Sequence, residues 1–370
     1  MLRKILSQIW GNVQYLLFPE LEEEIGPLTE THKKLISVLE LVRIEQFVSS
    51  EIGLIGRPPK DRVFLARAFV AKVVYKLPFT NQLRNHLLAD KQLRLICGWS
   101  SVGDIPSESK FSRAFNEFAQ ASLAERTHAA LIKDIYKDDI VGHVSKDSTP
   151  IEARAKAVIP TEEEKKAKKK KVSPTRIERQ ASETMSLEDM LEELSKDCTF
   201  GKKKKPHGRS VVWKGYKLHL STDDAGIPLA AIITAASVND NQVAIPLTIK
   251  TDQVVTNFYD LMDSAYDVPG VLKHSRSLGH VPIVDKMSFT TAQKEEKKAE
   301  RKAQKTLGWQ PAETIRYKER KKCEKTNGSI KDFYGGDNIW YRGYEKVCSQ
   351  VMFGILTLSA TMLLNFIDSS

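Results

Sequence analysis

The chain has 370 residues, with 57 Lys+Arg against 47 Asp+Glu, 41% apolar residues and 28% charged ones. This length predicts two or three domains, and the composition supplies a core and excludes wholesale disorder. The formal charge of +10 favours an anionic partner without saying which one.

Residues 1–135 read as helical. The N-terminal stretch lacks a long apolar segment with a small-residue cleavage site, so no signal peptide is expected. Pro58 and Pro59 open a run, KDRVFLARAFVAKVVYKL, that is apolar on most of its circumference. Further on, Phe111, Phe115 and Phe118 fall at i, i+4, i+7 on one helical face, with Ser107 as the expected N-cap. Helix, turn and helix with Lys110 and Arg113 on the polar face could read DNA; an all-helical structural domain fits the same pattern.

From residue 139 the period changes. IVGHVSKD is a short apolar strand ending on Asp147, and GYKLHLST and PLAAIITAAS flank the turn DDAGI as a hairpin. A helical segment, DNQVAIPLTIKT, precedes the strand FYDLMD, which ends on Asp263, and VPIVD is a further strand. Strands paired first antiparallel, then alternating with helices, predict a mixed α/β sheet. Lysine-rich stretches at 152–210 and 286–310 interrupt it and read as solvated insertions that could touch a phosphate backbone. Val347 to Ile367 carries no charge over 21 residues, yet its Ser, Thr, Gln and Asn content predicts a buried core helix rather than a membrane span.

Cys97, Cys198, Cys323 and Cys348 form no C-x-x-C pair and no zinc-like cluster with His. Neither a disulfide framework nor structural zinc is expected, and a reducing compartment fits. His143 and His219 read as packed neutral imidazoles, and Asp240 and Asp285 as turn or cap residues.

The chemistry concentrates in RYKERKKCEKTNGSIKD. On a helix at about 100° per residue, Tyr317, Arg320, Glu324 and Lys331 fall within one 60° sector. A stripe of one carboxylate, two cations and a phenol is no core seam, although a surface ladder of ion pairs would look similar. Asp147 and Asp263 each close a strand, where sites of α/β sheets lie. If both converge with Glu324, the three repelling carboxylates need cations, and oxygen ligands without Cys or His select Mg²⁺ or Mn²⁺. A pair of such ions is the standard device for displacement at a phosphodiester.

Tyr317-x2-Arg320-x3-Glu324-x6-Lys331 has the spacing of the Y-x2-R-x3-E-x6-K signature of bacterial insertion-sequence DDE transposases. SKDST, YDLMDSAYD and the hairpin block resemble the family's other blocks in order, and the resemblance spans nearly the whole chain. It implies a ribonuclease-H-like catalytic domain at 136–370, a five-stranded mixed sheet with flanking helices, after a helical DNA-binding or assembly domain at 1–135. It further implies Asp147, Asp263 and Glu324 as ligands of two Mg²⁺ or Mn²⁺ ions, and Tyr317, Arg320 and Lys331 as DNA contacts. Glu345 is a rival third acid whose neighbours lack the signature. The implied activity is metal-dependent cleavage at element ends and 3′-OH strand transfer into double-stranded target DNA. The enzyme would act as a homodimer or higher assembly, in the cytoplasm at the nucleoid and away from membranes. A catalytically silent DNA-binding derivative and a non-joining nuclease are the alternatives.

Overall fold

The structure, a computed structural model, describes residues 2–48, 61–159, 174–182, 185–204, 210–286, 290–337 and 339–368. Pro58, Pro59 and the lysine block at 165–171 lie outside the described residues.

The chain begins with α1 (Leu2–Asn12), α2 (Phe18–Ile25) and α3 (Glu30–Val42), the last started by a capping box between Thr29 and His32. Next come α4 (Arg62–Val74), capped by the Asp61 carboxylate on the Val63 amide, then α5 (Thr80–Ala89) and α6 (Lys91–Cys97). The phenylalanine helix follows as α7 (Glu108–Gln120), then α8 (Leu123–Tyr136). Its expected stripe is buried: Phe111, Phe115 and Phe118 surround Phe69 of α4 with ring centroids 6.1, 4.8 and 6.1 Å away. Ser107 stands at the N-cap position, but its hydroxyl pairs with the Ser109 hydroxyl instead of capping.

The strands and remaining helices alternate. They are β1 (Ile140–Glu152), α9 (Arg176–Gln180), α10 (Leu187–Glu192), β2 (Thr199–Lys204), β3 (Ser210–Thr222), β4 (Pro228–Ala235), α11 (Asn241–Asp252), β5 (Thr256–Met262), α12 (Pro269–Ser277) and β6 (Val281–Val284). The polar α13 (Thr291–Leu307), α14 (Ala312–Tyr317), α15 (Lys321–Phe333) and α16 (Tyr344–Asp368) complete the chain.

Two compact units emerge. A helical unit takes Met1–Asp139, Ile151–Lys156 and Gly328–Ser370. Its centre is α16, packed on α3, α4, α7 and α8. This helix is long and apolar enough to cross a membrane by length and composition, yet its most apolar window is 89% buried, as a core helix requires.

The sheet unit takes Ile140–Pro150 and Ala157–Asn327. Its mixed sheet has six strands rather than the expected five, in the order β2-β3-β1-β5-β6, with β4 also paired to β3. β1, β5 and β6 run parallel; β2 and β4 lie antiparallel to successive halves of the long β3. The additional strand, β2, comes from the stretch expected to be a solvated insertion. That expectation also fails for SLEDMLEELSKD. Met190 packs with Ala244, Ile245, Met262 and Tyr266, and Leu194 with Ile232, Val243 and Leu247. The acids of this segment mask an amphipathic stripe that buries against α11.

Candidate active site

β1 and β5 are adjacent parallel strands in register from Ile140↔Thr256 to Ser145↔Leu261. This register runs toward Asp147, inside β1, and Asp263, the residue after β5, and the two carboxylates lie within each other's field, while β1 itself continues to Glu152. Asp263 accepts the Ala265 amide at 2.9 Å and so caps the short 3₁₀ turn Ser264–Tyr266.

The signature segment is not one uniform helix. A 3₁₀ turn at Lys318–Arg320 separates α14 from α15. The uniform 100° step behind the 60° sector therefore does not hold, because a 3₁₀ turn winds more tightly. Three of the four side chains still meet. Arg320 Nη1 donates to Asp147 Oδ1 at 3.1 Å, its Nη2 donates to Glu324 Oε1, and its Cζ lies 5.9 Å from the Tyr317 ring centroid. Lys331 lies on the part of α15 that belongs to the helical unit, as does Glu345, in the first turn of α16.

The electrostatics follow from partial burial. Burial pushes the Asp147 carboxyl above its ordinary range, against the pull of Arg320 and of a hydrogen bond from Asn327. Asp263 is raised first by burial and further by the charges of Asp147 and Asp240, while Arg320 pulls it down. Burial opposes charge on Arg320, but Asp147, Tyr317, Glu324 and Asp263 hold its guanidinium charged all the more firmly. The Tyr317 phenol is raised mainly by burial.

Asn327, which sequence reasoning missed, stands one helical turn beyond Glu324. Its Nδ2 donates to Asp147 Oδ2 at 3.0 Å, and its Oδ1 is buried without a partner. Asp240 sits at the N-cap position of α11 without capping it. Instead it accepts from Ser148 Oγ at 2.9 Å and from Lys217 Nζ at 3.0 Å, which ties down the residue next to Asp147. Asp285 pairs with Lys297. His219 is neutral as expected: burial pulls its pKa down to about 4, and Nε2 meets Thr234 Oγ1 at 3.0 Å. His143 is more than packed. Its Nδ1 lies 2.6 Å from Asp224 Oδ1 and its Nε2 3.3 Å from Arg316 Nη1, which docks α14 on β1.

Among the described residues no three His, Cys, Asp or Glu side chains are grouped as a ready metal cage. The donor set is nonetheless suited to a hard cation. It consists of carboxylate oxygens with raised proton affinity, beside the unpartnered amide oxygen of Asn327. Arg320 supplies the positive charge between Asp147 and Glu324.

Residues 144–360 match the family model of the transposase DDE domain, and residues 20–117 match that of a second transposase domain (DUF772). No curated protein and no solved structure matches the chain. The first match covers more than half of the sequence, with Asp147, Asp263 and Glu324 inside it, so the chain belongs to the insertion-sequence DDE transposases.

Proposed function

We propose that this transposase cleaves the ends of its insertion sequence and joins the freed 3′-OH to target DNA, on a ribonuclease-H-like sheet. The strand order β4-β3-β1-β5-β6, with β2 as an addition, supports the fold reading. The observation that carries the functional reading is Arg320 held between Asp147 and Glu324, within the field of Asp263.

In this reading Asp147, Asp263 and Glu324 hold Mg²⁺ or Mn²⁺. Two such ions, when bound, would activate the attacking oxygen and stabilise the leaving oxygen of an in-line displacement. Arg320 balances the acids in the resting protein and offers its fork to a phosphate when DNA arrives. Asn327 orients Asp147. Tyr317 and Lys331 contact the DNA near the cleaved strand. The partners are the element's double-stranded ends, the target and further copies of the chain, at the bacterial nucleoid.

The test is cleavage of DNA carrying the inverted repeats that flank the coding region, in Mg²⁺. Asp147→Asn, Asp263→Asn and Glu324→Gln should each abolish it. Full activity in all three would overturn the mechanism. Nicks without joined products would make the enzyme a nuclease instead.

A further inference from the structure

The helical unit contains a cavity of about 220 Å³ between the end of α4 and the segment that follows α15. Lys72 forms its inner wall and is only 2% exposed. The ammonium donates to Gln350 Oε1 at 3.1 Å and lies 5.4 Å from the Tyr341 ring centroid, and it has no ion-pair partner among the described residues. Burial pulls its pKa down to about 8, which leaves it protonated at neutral pH. A buried cation without a counter-charge is costly, and a methionine would fill the same space.

A second cation is placed at conformational expense. The amides of Lys76 and Leu77 bond to the carbonyls of Val73 and Lys72, both at 2.9 Å, closing α4 in the manner that ordinarily takes glycine. Lys76 occupies the glycine position at φ 54°, and its ammonium lies 4.7 Å from the Phe333 ring centroid. Gly335, at φ +74°, leaves room for the Gln350 amide that holds Lys72; a Cβ there would come within 2.7 Å of Gln350 Nε2.

The mouth is aromatic and open. Phe333 is 51% exposed and Trp340 48% exposed. The Arg154 guanidinium lies 5.2 Å from the Trp340 ring centroid, and Phe79 packs 5.3 Å from it. Lys331 also lines the cavity, as do the carboxylates of Asp332 and Asp337, and the three lysines leave the lining positive. Cations over half-exposed aromatic rings are the chemistry of a stacking platform for nucleic-acid bases next to a phosphate.

We propose that this cavity binds one nucleotide unit of single-stranded DNA, with its phosphate at Lys72 and Lys76 and its base against Trp340 and Phe333. About 220 Å³ lies below the roughly 300 Å³ at which pockets for drug-sized ligands begin, which suits a phosphate inside with its base at the open aromatic mouth rather than a longer segment. A duplex keeps its base faces stacked inside and cannot present one. The proposal rests on DNA being the substrate but not on the chemistry at the acids, so its test is binding in the presence of a chelator.

The probe is a single-stranded oligonucleotide carrying 2-aminopurine, titrated into the full chain, with the matching duplex, a free mononucleotide and inorganic phosphate as competitors. The wild type should bind the single strand, alter the probe's fluorescence, and prefer it to the duplex. Trp340→Ala should weaken binding by roughly 5- to 150-fold, the effect of losing one stacked base. Trp340→Phe should retain most of it. Lys72→Met should weaken binding while the fold melts no earlier than wild type. Competition by the mononucleotide locates the ligand as a nucleotide. Equal competition by inorganic phosphate overturns the proposal, because the base then plays no part. Wild-type affinity in both Lys72→Met and Trp340→Ala overturns it as well. With the chelator present the readout needs no cleavage, so a failure of this site and a failure of the cleavage mechanism are told apart.

Discussion

Lys146 and Asp260 form an ion pair at 2.8 Å on the paired strands β1 and β5, with side chains 0% and 1% exposed. Thr248 Oγ1 accepts a further hydrogen bond from Lys146 at 2.8 Å, and Ser275 Oγ donates to Asp260 at 2.6 Å. Burial alone would raise the Asp260 carboxyl; Lys146, with hydrogen bonds from His280 and Ser275, holds it well below the usual carboxylate range. Removing one partner leaves the other as a buried unpaired charge. Lys146→Met should therefore cost about 3–5 kcal/mol in urea unfolding, and Lys146→Met with Asp260→Leu should recover most of the loss. The pair's contribution is fully present above the unfolded-state aspartate pKa, near 4, and is lost as pH falls from there toward the lower folded value. Wild type and Lys146→Met should accordingly differ less at pH 3 than at pH 7.

Arg320 should not be replaceable by lysine. Its two nitrogens serve two different acids, a geometry a single ammonium cannot reproduce. End cleavage by Arg320→Lys should fall at least about tenfold, with thermal stability changed by less than about 1 kcal/mol, since Glu324 is half exposed. Cleavage at the wild-type rate would show that the bridge is incidental.

Asn327→Ala removes a donor to Asp147 without touching any acid. If Asp147 holds metal as proposed, losing the group that orients its carboxylate should lower cleavage by roughly 10- to 100-fold. Asn327→Asp would set a further charge beside Asp147 and should be worse. Single-turnover cleavage of both variants, alongside their melting temperatures, checks the order.

Lys72 gives a pH prediction of the same sign as Asp260 in a higher window. Its folded pKa, about 8, lies below the ordinary 10.5, so between those values the unfolded chain binds more protons. Stability of the wild type should rise with pH across that window, by about 3 kcal/mol for this shift of about 2.5 units. Lys72→Met should be the more stable protein at pH 7 and lose that advantage near pH 10.5. Chemical denaturation at pH 7 and pH 10 measures it.

Much of the sheet unit was legible because its strands alternate or run apolar between clear turns. The hairpin of β3 and β4 and the strand that stops before Asp263 follow from local pattern alone, whereas β1 runs on past its expected end at Asp147 to Glu152. The phenylalanine stripe of α7 was legible for the same reason, at period 3.6. What escaped depends on register between distant segments. Asn327 reads as one more polar residue until α15 is set against β1. Lys146 reads as an outward lysine until β5 supplies Asp260. The 3₁₀ turn at Lys318–Arg320 has no marker in a run of charged residues. Met190 and Leu194 were hidden by the acids around them, and Lys72 by an apolar run in which a lysine is expected to reach solvent.

The guanidinium clasped by Asp147 and Glu324 separates two requirements that coincide in many metalloproteins. Where the ion itself holds the ligands together, stripping it unravels the domain. Here an amino acid encoded in the same chain already offsets the carboxylates. Chelation should therefore silence this enzyme while leaving its melting curve where it was, and restored ions should find the pocket already folded.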